Sequence, residues 1–181
     1  MKLIDVEKRG FVIDNKYRKG WATSKKILLR SSVVKALEKA RDLLPEGFNF
    51  KVRDGWRSVA DQKKIIQICE DDFKKKFPKN WNNMLTRYTG GYKALKERPF
   101  YPASHLGGGA VDITIIRGKR EIPLGGVTFS ETDNINYYEK KKRLTKMEKE
   151  IRNNRKLLKK VMRKAGFKVY NPEWWHWGYI K

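Results

Sequence analysis

Apolar residues recur at helical spacing in two segments of the first half of the chain. Over residues 33–44 they fall on one face, which predicts a helix with Ser32 at its N-cap and a stop at Pro45-Glu46-Gly47. A second helix is expected after Ser58, because Asp61 lies three residues on, as in a capping box. The residues predicted to face inward on this helix are Val59, Ile65, Ile66, Cys69, Phe73 and Phe77.

A long basic helix is predicted around residues 139–164, and Gly166 ends it. Its apolar face carries Leu144, Met147, Ile151, Leu158, Val161 and Ala165. Residues 78–104 and 123–136 contain clusters of Asn, Gly and Pro with only short apolar stretches, so both are predicted to be irregular. Long irregular segments inside compact domains are often functional, and we expect these two to shape a binding pocket.

Period-two alternation and β-branched runs predict the strands. Residues 48–52 alternate apolar and polar side chains, and residues 111–116, VDITII, form the strongest strand pattern, followed by a turn into a partner strand that ends near Ile122. Two short strands, separated by Asn171-Pro172, are expected at the C-terminal end. Helices and antiparallel-looking strands are mixed, which predicts an α+β fold in a single domain over residues 1–181, with a central antiparallel sheet flanked by helices.

The composition is that of a globular chain that does not need disulfide bonds for its stability. A chain of 181 residues can bury a core of its own, and the lone Cys69 cannot form an internal disulfide. No apolar run approaches the length of a membrane span. The N-terminal segment has no apolar stretch typical of a signal peptide, so a cytoplasmic location is expected.

The formal net charge of +23 attracts anions such as nucleic acid, acidic lipid or an anionic wall polymer. This charge indicates a class of binding partners but does not identify a reaction. Lysine-rich compositions also occur in proteins of AT-rich genomes, for reasons unrelated to binding. One alternative is a nucleic-acid-binding module built on the basic helix, with an affinity that falls steeply with salt. The regular apolar face of that helix favours a solvated basic face instead, and no nucleic-acid-binding motif accompanies it. No nucleic-acid partner is therefore expected.

The chain has two histidines, and each has carboxylates nearby. His105 precedes a run of glycines that lets the backbone bend, so that His105 and Asp112 can turn toward one point. Glu173 and His176 lie three residues apart, and a bend is needed for both to reach one site. Two imidazoles and a carboxylate form a three-ligand zinc set that leaves a position for water, and Glu173 is then the candidate general base. From spacing alone, a surface or core role for the histidines stays open.

Three sequence blocks resemble a known family. Residues 104–112, SHLGGGAVD, followed by residues 173–176, EWWH, resemble the zinc D-alanyl-D-alanine dipeptidases, the group that includes the dipeptidase of vancomycin resistance. The block Asp54-Gly55-Trp56-Arg57 is similar to that family's Asp-aromatic-Arg segment. The order of the blocks agrees, and the similarity extends from Ile4-Asp5-Val6 to the C-terminal end.

The resemblance implies a role for each matching residue. His105, Asp112 and His176 would bind one zinc ion, Glu173 would act as general base and later as proton donor to the leaving amine, and Arg57 would help to stabilise the oxyanion. The implied fold is the one shared by D-Ala-D-Ala metallopeptidases and the hedgehog signalling domain. The implied substrate is a small peptide, a D-amino-acid dipeptide such as D-alanyl-D-alanine.

Two departures from the family pattern concern the substrate pocket. Ala103 stands where the family usually has Ser, with Ser104 immediately before the first histidine. The Gly-containing segment 124–129 lacks the acid that the family uses to hold the substrate amine, and the nearest acids are Glu131 and Asp133. Ser104, Glu131 and Asp133 are therefore the candidate substrate-binding residues. A zinc DD- or LD-endopeptidase or carboxypeptidase acting on peptidoglycan stem peptides, and a metal-binding domain without catalysis, stay open as alternatives.

Overall fold

Eight strands and six helices occur in the part of the chain that the computed structural model describes, which is residues 1–14, 18–97 and 101–180. The strands are β1 (Leu3–Asp5), β2 (Val12–Ile13), β3 (Leu28–Arg30), β4 (Phe48–Asp54), β5 (Ala110–Arg117), β6 (Arg120–Glu121), β7 (Lys168–Val169) and β8 (His176–Gly178). The helices are α1 (Ser31–Asp42), α2 (Val59–Lys76), α3 (Trp81–Thr89), α4 (Lys93–Glu97), α5 (Tyr137–Lys140) and α6 (Lys146–Lys164). Short 3₁₀ turns lie at Glu7–Arg9 and Glu131–Asp133.

The central sheet has the strand order β2-β4-β5-β8-β7, and β6 pairs with the end of β5. Its pairs are antiparallel except at one edge, where β2 runs parallel to β4. The predicted α+β fold with helices against a sheet is thus confirmed, but the sheet is mixed rather than purely antiparallel. The parallel edge arises because β3 and α1 intervene between β2 and β4, and a connection of that length allows a crossover. β1 and β3 form a separate antiparallel pair.

β5 lies between β4 and β8 and is buried over all but its last residue. Successive side chains of a strand point to opposite faces. Val111, Ile113 and Ile115 accordingly belong to the main apolar core. Asp112 and Thr114 occupy the other face, and both are almost fully buried. A carboxylate is thereby held at the centre of the sheet, beside β8.

The first two helices form close to their predicted places. α1 begins at Ser31, so Ser32 is not its N-cap, and Arg30 precedes the first turn without a side-chain capping bond. α2 has the predicted capping box of Ser58 and Asp61. The prediction that Val59 faces inward is wrong, since 54% of this residue is exposed. Val59 lies in the first turn, outside the buried stripe that begins at Asp61.

Residues 78–104 are not one irregular excursion, because α3 and α4 lie within them. Met84 and Leu85 of α3 pack with Ile66 and Phe73 of α2 in a second, smaller apolar cluster. Gly90 ends α3 in the left-handed conformation, with φ of 77°. A helix of this length is marginal by itself and is stabilised mainly by the partner that it packs against.

The basic helix is also divided differently from the prediction. α5 and α6 are separate, and Thr145 begins α6 with a capping box that includes Glu148. Met147 does not face the core, since 56% of it is exposed in the first turn. Farther along α6, the buried residues are Ile151, Arg155, Leu158, Val161 and Met162. Among the described residues, no helix combines the length and the apolar character that a membrane crossing requires.

Candidate functional site

The two histidines and Asp112 meet at the end of β5. Asp112 and His176 are directly opposite each other in the antiparallel pairing of β5 with β8. His176 Nδ1 lies 3.0 Å from Asp112 Oδ1. His105, from the loop before β5, places Nε2 3.2 Å from His176 Nδ1 and 3.3 Å from Asp112 Oδ1. One potential ligand atom from each residue therefore points to a common centre.

These three atoms fit a zinc ion. Zinc in proteins is usually tetrahedral, with bonds of about 2.0–2.2 Å to nitrogen and oxygen, so two of its ligand atoms are separated by roughly 3.3 Å. The separations between the atoms of His105, Asp112 and His176 are close to this value. His105 Nδ1 lies 2.6 Å from the carbonyl oxygen of Gly55. This carbonyl accepts the Nδ1 proton and leaves the lone pair of Nε2 directed at the centre.

The protonation states of the two strand residues also suit a cation. Burial disfavours the charged form of Asp112, but the neighbouring histidines outweigh it and hold the pKa of that carboxyl well below its usual range. Burial lowers the pKa of His176 below its ordinary value, against the opposing hydrogen bond to Asp112. An ionised carboxylate and a neutral imidazole are the forms in which these groups bind a metal.

The glycine-rich loop positions His105 because its backbone folds closely upon itself. A Cβ at Gly107 would lie 2.2 Å from the carbonyl oxygen of Tyr101, and a Cβ at Gly109 would lie 1.9 Å from that of Pro102. Side chains at either position are excluded by this approach. Ser104 fastens the same turn, since its hydroxyl donates to the Tyr101 carbonyl at 2.8 Å and accepts from the Gly107 amide at 2.8 Å.

A turn between β7 and β8 brings Glu173 and His176 to the same cavity. The sequence had indicated that a bend would be needed for both residues to reach one site. The Glu173 amide donates to the Tyr170 carbonyl, and the His176 amide donates to the Glu173 carbonyl. Trp174 and Trp175 anchor this turn in the core. Only 6% of Glu173 is exposed. Burial raises the pKa of Glu173 well above its ordinary value, and the charge of Asp112 adds to this while Arg57 opposes it.

Arg57 is held in the cavity wall by a buried polar network. Its Nε donates to Asp54 Oδ2 at 2.6 Å, and its Nη1 donates to Gln62 Oε1 at 3.0 Å. Its Nη2 lies 3.8 Å from Asp112 Oδ2. Asp54 is fully buried, and Arg18 Nε approaches its other oxygen at 3.1 Å. The guanidinium is thereby fixed beside the ligand centre, as a preorganised cation should be.

The sequence alone assigned no role to Asp54 or Gln62, although the position of each residue in the sequence could have indicated one. Asp54 begins the block that contains Arg57, and Gln62 lies in the first turn of the helix that follows this block. The Gln62 side chain also donates to the Thr89 carbonyl at 3.0 Å, which ties α2 to the end of α3. A polar residue on the inward stripe of a helix indicates such a contact, since a buried amide requires partners.

The three candidate substrate-binding residues are placed differently from one another. Ser104 lines the cavity that contains the histidines, whereas Glu131 lines a neighbouring cavity. Asp133 is fully buried and accepts hydrogen bonds from the amides of Thr128 at 3.0 Å and Phe129 at 2.7 Å. Neither acid is among the described residues that line the histidine cavity.

The cavity has a volume of about 400 Å³. This lies within the range of about 300–1,000 Å³ that is typical of small-molecule sites. Its lining includes all five residues of the proposed chemistry and several that sequence reasoning did not single out, among them Gln62, Arg87, Phe129, Lys168 and Tyr170. In the sequence, Arg87 and Lys168 resemble any of the 43 Lys and Arg residues, and only the fold distinguishes them.

The sequence of this chain is similar to those of known dipeptidases. The sequence model of a family described as D-ala-D-ala dipeptidase matches residues 5–181. A D-alanyl-D-alanine dipeptidase of Synechocystis sp. is 26% identical to this chain in the region that the two share, which covers 82% of this chain and 68% of the relative. The match to the family includes every residue of the site described above.

Proposed function

The chain belongs to the D-ala-D-ala dipeptidase family and is a metallopeptidase, and we propose that it hydrolyses D-amino-acid dipeptides, D-alanyl-D-alanine first among them, with one zinc ion. The observation that carries this proposal is the convergence of three ligand atoms, 3.0–3.3 Å apart, in a cavity that Glu173 and Arg57 also line. We further propose that residues 1–181 form one catalytic domain.

His105, Asp112 and His176 would hold the ion and leave its fourth position open, as in catalytic zinc sites. When bound, zinc would lower the pKa of the attacking water to about 7 and polarise the peptide carbonyl. Gly55 supports this arrangement, because its carbonyl fixes the ring of His105. Partners of this kind orient the ligands of a metal and tune their basicity.

Glu173 would act as general base and acid. Its carboxylate takes a proton from the attacking water and later delivers it to the leaving amine, so that one group serves both halves of the hydrolysis. A carboxyl whose pKa is raised by burial suits this cycle better than an exposed one, since it binds more firmly the proton that it takes from the water. The turn at residues 170–176 holds Glu173 and His176 in one cavity.

Arg57 would stabilise the negative charge that develops on the carbonyl oxygen. A guanidinium keeps its charge at every physiological pH. Asp54 and Gln62 hold the guanidinium of Arg57 in place, so that little reorganisation is needed when the charge develops. Its remaining nitrogen, Nη2, lies near Asp112 and is therefore close to the ligand centre.

A pair of glutamate variants tests the role of Glu173. Glu173→Gln removes the base and is expected to lower kcat by roughly 10²–10⁴-fold, while zinc content measured by atomic absorption stays at that of the wild type. Glu131→Gln is the matched control and should retain both activity and zinc, because Glu131 lies outside the cavity. Unchanged hydrolysis by Glu173→Gln would remove this residue from the mechanism.

A substrate panel tests the reaction itself. The zinc-loaded protein should hydrolyse D-alanyl-D-alanine and leave L-alanyl-L-alanine intact. Turnover of cross-linked muropeptides alone would instead support the DD- or LD-endopeptidase alternative. A protein that binds no metal and shows no chelator-sensitive hydrolysis would contradict the assignment as a zinc enzyme.

A further inference from the structure

The charged residues that line the catalytic cavity are unequally distributed. Two acids, Asp112 and Glu173, line it, and the proposed function already assigns both of them. Three cations line it as well, and of these Arg57 alone has a part in the chemistry. Arg87 and Lys168 remain, and they have no acidic counterpart among the described lining residues beyond the two acids with assigned roles. The cavity is therefore electrostatically suited to a substrate group that is itself anionic.

Arg87 has the features of an anion receptor. It lies in the last turn of α3, is half-buried, and has its guanidinium carbon 5.4 Å from the centre of the Tyr88 ring. Its Nε is buried and makes no hydrogen bond with the described residues. A buried donor without a partner is costly. A planar guanidinium that rests on an aromatic ring can donate two parallel bonds to a carboxylate.

Tyr170 connects Arg87 to the proposed catalytic centre. Its hydroxyl donates to the Arg87 carbonyl at 3.0 Å, and its ring meets that of His176 edge-on, with the ring centres 5.7 Å apart. Lys168 lies two residues earlier on β7, opposite Gly178 of β8, and is exposed. A half-buried arginine and an exposed lysine thus line the same cavity as the metal ligands, one on α3 and the other on the edge of the sheet.

We propose that Arg87 and Lys168 form a subsite that binds a carboxylate of the peptide substrate. The carboxylate is either the C-terminal one or that of an acidic side chain, and the preferred peptides are those that present it to Arg87. This inference rests on the proposed function, since it concerns the substrate of the same cavity. A second cavity, which Arg87 also lines, carries Lys140, Lys141 and the single acid Glu131, so that cations predominate there as well.

Steady-state kinetics on two pairs of peptides test the subsite. D-alanyl-D-alanine and its C-terminal amide differ in the terminal carboxylate, whereas D-alanyl-D-glutamate and D-alanyl-D-glutamine differ in the side-chain carboxylate. Arg87→Gln should raise KM about tenfold or more for the member of a pair that carries the recognised carboxylate, because a hydrogen bond to a charged group is lost. It should change KM little for the neutral member, and kcat little for either. The pair that shows the difference identifies the source of the carboxylate.

Arg152→Gln is the matched control. Arg152 is also half-buried and has a buried Nε without a hydrogen bond in the described part of the chain, but it lies on α6 and lines neither cavity. It should leave KM unchanged for all four peptides. Lys168→Gln should produce a smaller change than Arg87→Gln in the same pair, because exposed charges are screened. Arg87→Lys keeps the charge and should recover part of the affinity, which separates loss of binding from loss of folding.

Binding measurements on a variant that does not turn over its substrate test the subsite independently of the proposed function. Calorimetric titration of zinc-loaded Glu173→Gln with the same four peptides should show the carboxylate preference, and adding Arg87→Gln should abolish it. A wild-type protein that hydrolyses none of the peptides contradicts the proposed function, whereas the titration still tests the subsite. Equal losses for charged and neutral members of both pairs, or the same losses with Arg152→Gln, would overturn the subsite.

Discussion

Two sides of the cavity are built in different ways. On one side, Asp112 and His176 are directly opposed in two hydrogen-bonded strands, and a backbone carbonyl fixes the ring of His105. On the other, Arg87 lies on a short helix and Phe129 on an irregular loop. We call these the ligand side and the recognition side. The difference teaches that the strand pairing fixes two of the proposed metal ligands, while Arg87 and Phe129 lie on segments of a kind that tolerates sequence change.

The recognition side is nevertheless ordered by specific contacts. Phe129 has a positive φ of 54°, which is unusual for a bulky residue. Its amide donates to Asp133, and its ring meets Phe73 and Tyr88 edge-on, with centres 4.9 and 5.0 Å apart. The strained backbone is thus stabilised by one buried carboxylate and two aromatic rings. Its order depends on tertiary contacts rather than on strand register.

The largest effect on turnover is expected on the ligand side. His176→Ala removes one of three proposed ligands, so activity should fall to background for every peptide while the fold is retained. Chelation of the wild type should produce the same loss, and added zinc should restore the wild type but not the variant. Metal content and rates for several peptides measure this. Turnover by His176→Ala in the absence of metal would contradict the assignment of His176 as a metal ligand, and with it the distinction between the two sides.

Arg57 is expected to have the next largest effect. Arg57→Lys keeps a positive charge but cannot reproduce the fork held by Asp54 and Gln62, so kcat should fall about a hundredfold with little change in KM or zinc content. Arg53→Lys is the matched control, because Arg53 pairs with Glu121 at 2.9 Å and does not line the cavity. A rise in KM without a fall in kcat would move Arg57 from the chemistry to recognition.

The ligand side could be predicted from the sequence to a greater extent than the recognition side. The same difference in construction explains why. The strand pattern of residues 111–116 and the run of glycines between His105 and Asp112 are local features. His176 is distant in sequence, and the resemblance to the family, not the spacing, predicted that it joins His105 and Asp112, as the structure places it. α3 could not be predicted from its own pattern, because its stability depends on Ile66 and other residues of α2. The position of Arg87 in the cavity wall could not be predicted either, since the sequence contains 43 Lys and Arg residues and only packing selects which of them line a cavity.

Asp133 should have a moderate effect, mainly on stability. The Asp133 carboxylate accepts hydrogen bonds from the amides of Thr128 and Phe129 and from the Thr128 hydroxyl. Asp133→Asn replaces one of its acceptor oxygens with a donor, which should lower the free energy of unfolding by about 1–3 kcal/mol. Denaturant unfolding measures this, with Glu131→Gln as an exposed control. A KM that rises only for peptides with a free amine, and not for N-acetylated ones, would instead show that Asp133 binds the substrate amine.

The smallest effect on turnover is expected at Cys69, a residue of α2 that lines the recognition side. Cys69→Ser should leave kcat nearly unchanged, because the proposed chemistry does not use the thiol. Burial raises the pKa of Cys69 to about 11, so little thiolate exists at pH 8 and alkylation by iodoacetamide should be roughly a hundredfold or more slower than for a free cysteine. The rate should still rise about tenfold per pH unit up to pH 10, whereas protein unfolded in denaturant should level off near pH 9. Protection by a bound dipeptide would place the substrate against α2, and an alkylation rate equal to that of the unfolded chain would contradict the half-buried position of this thiol.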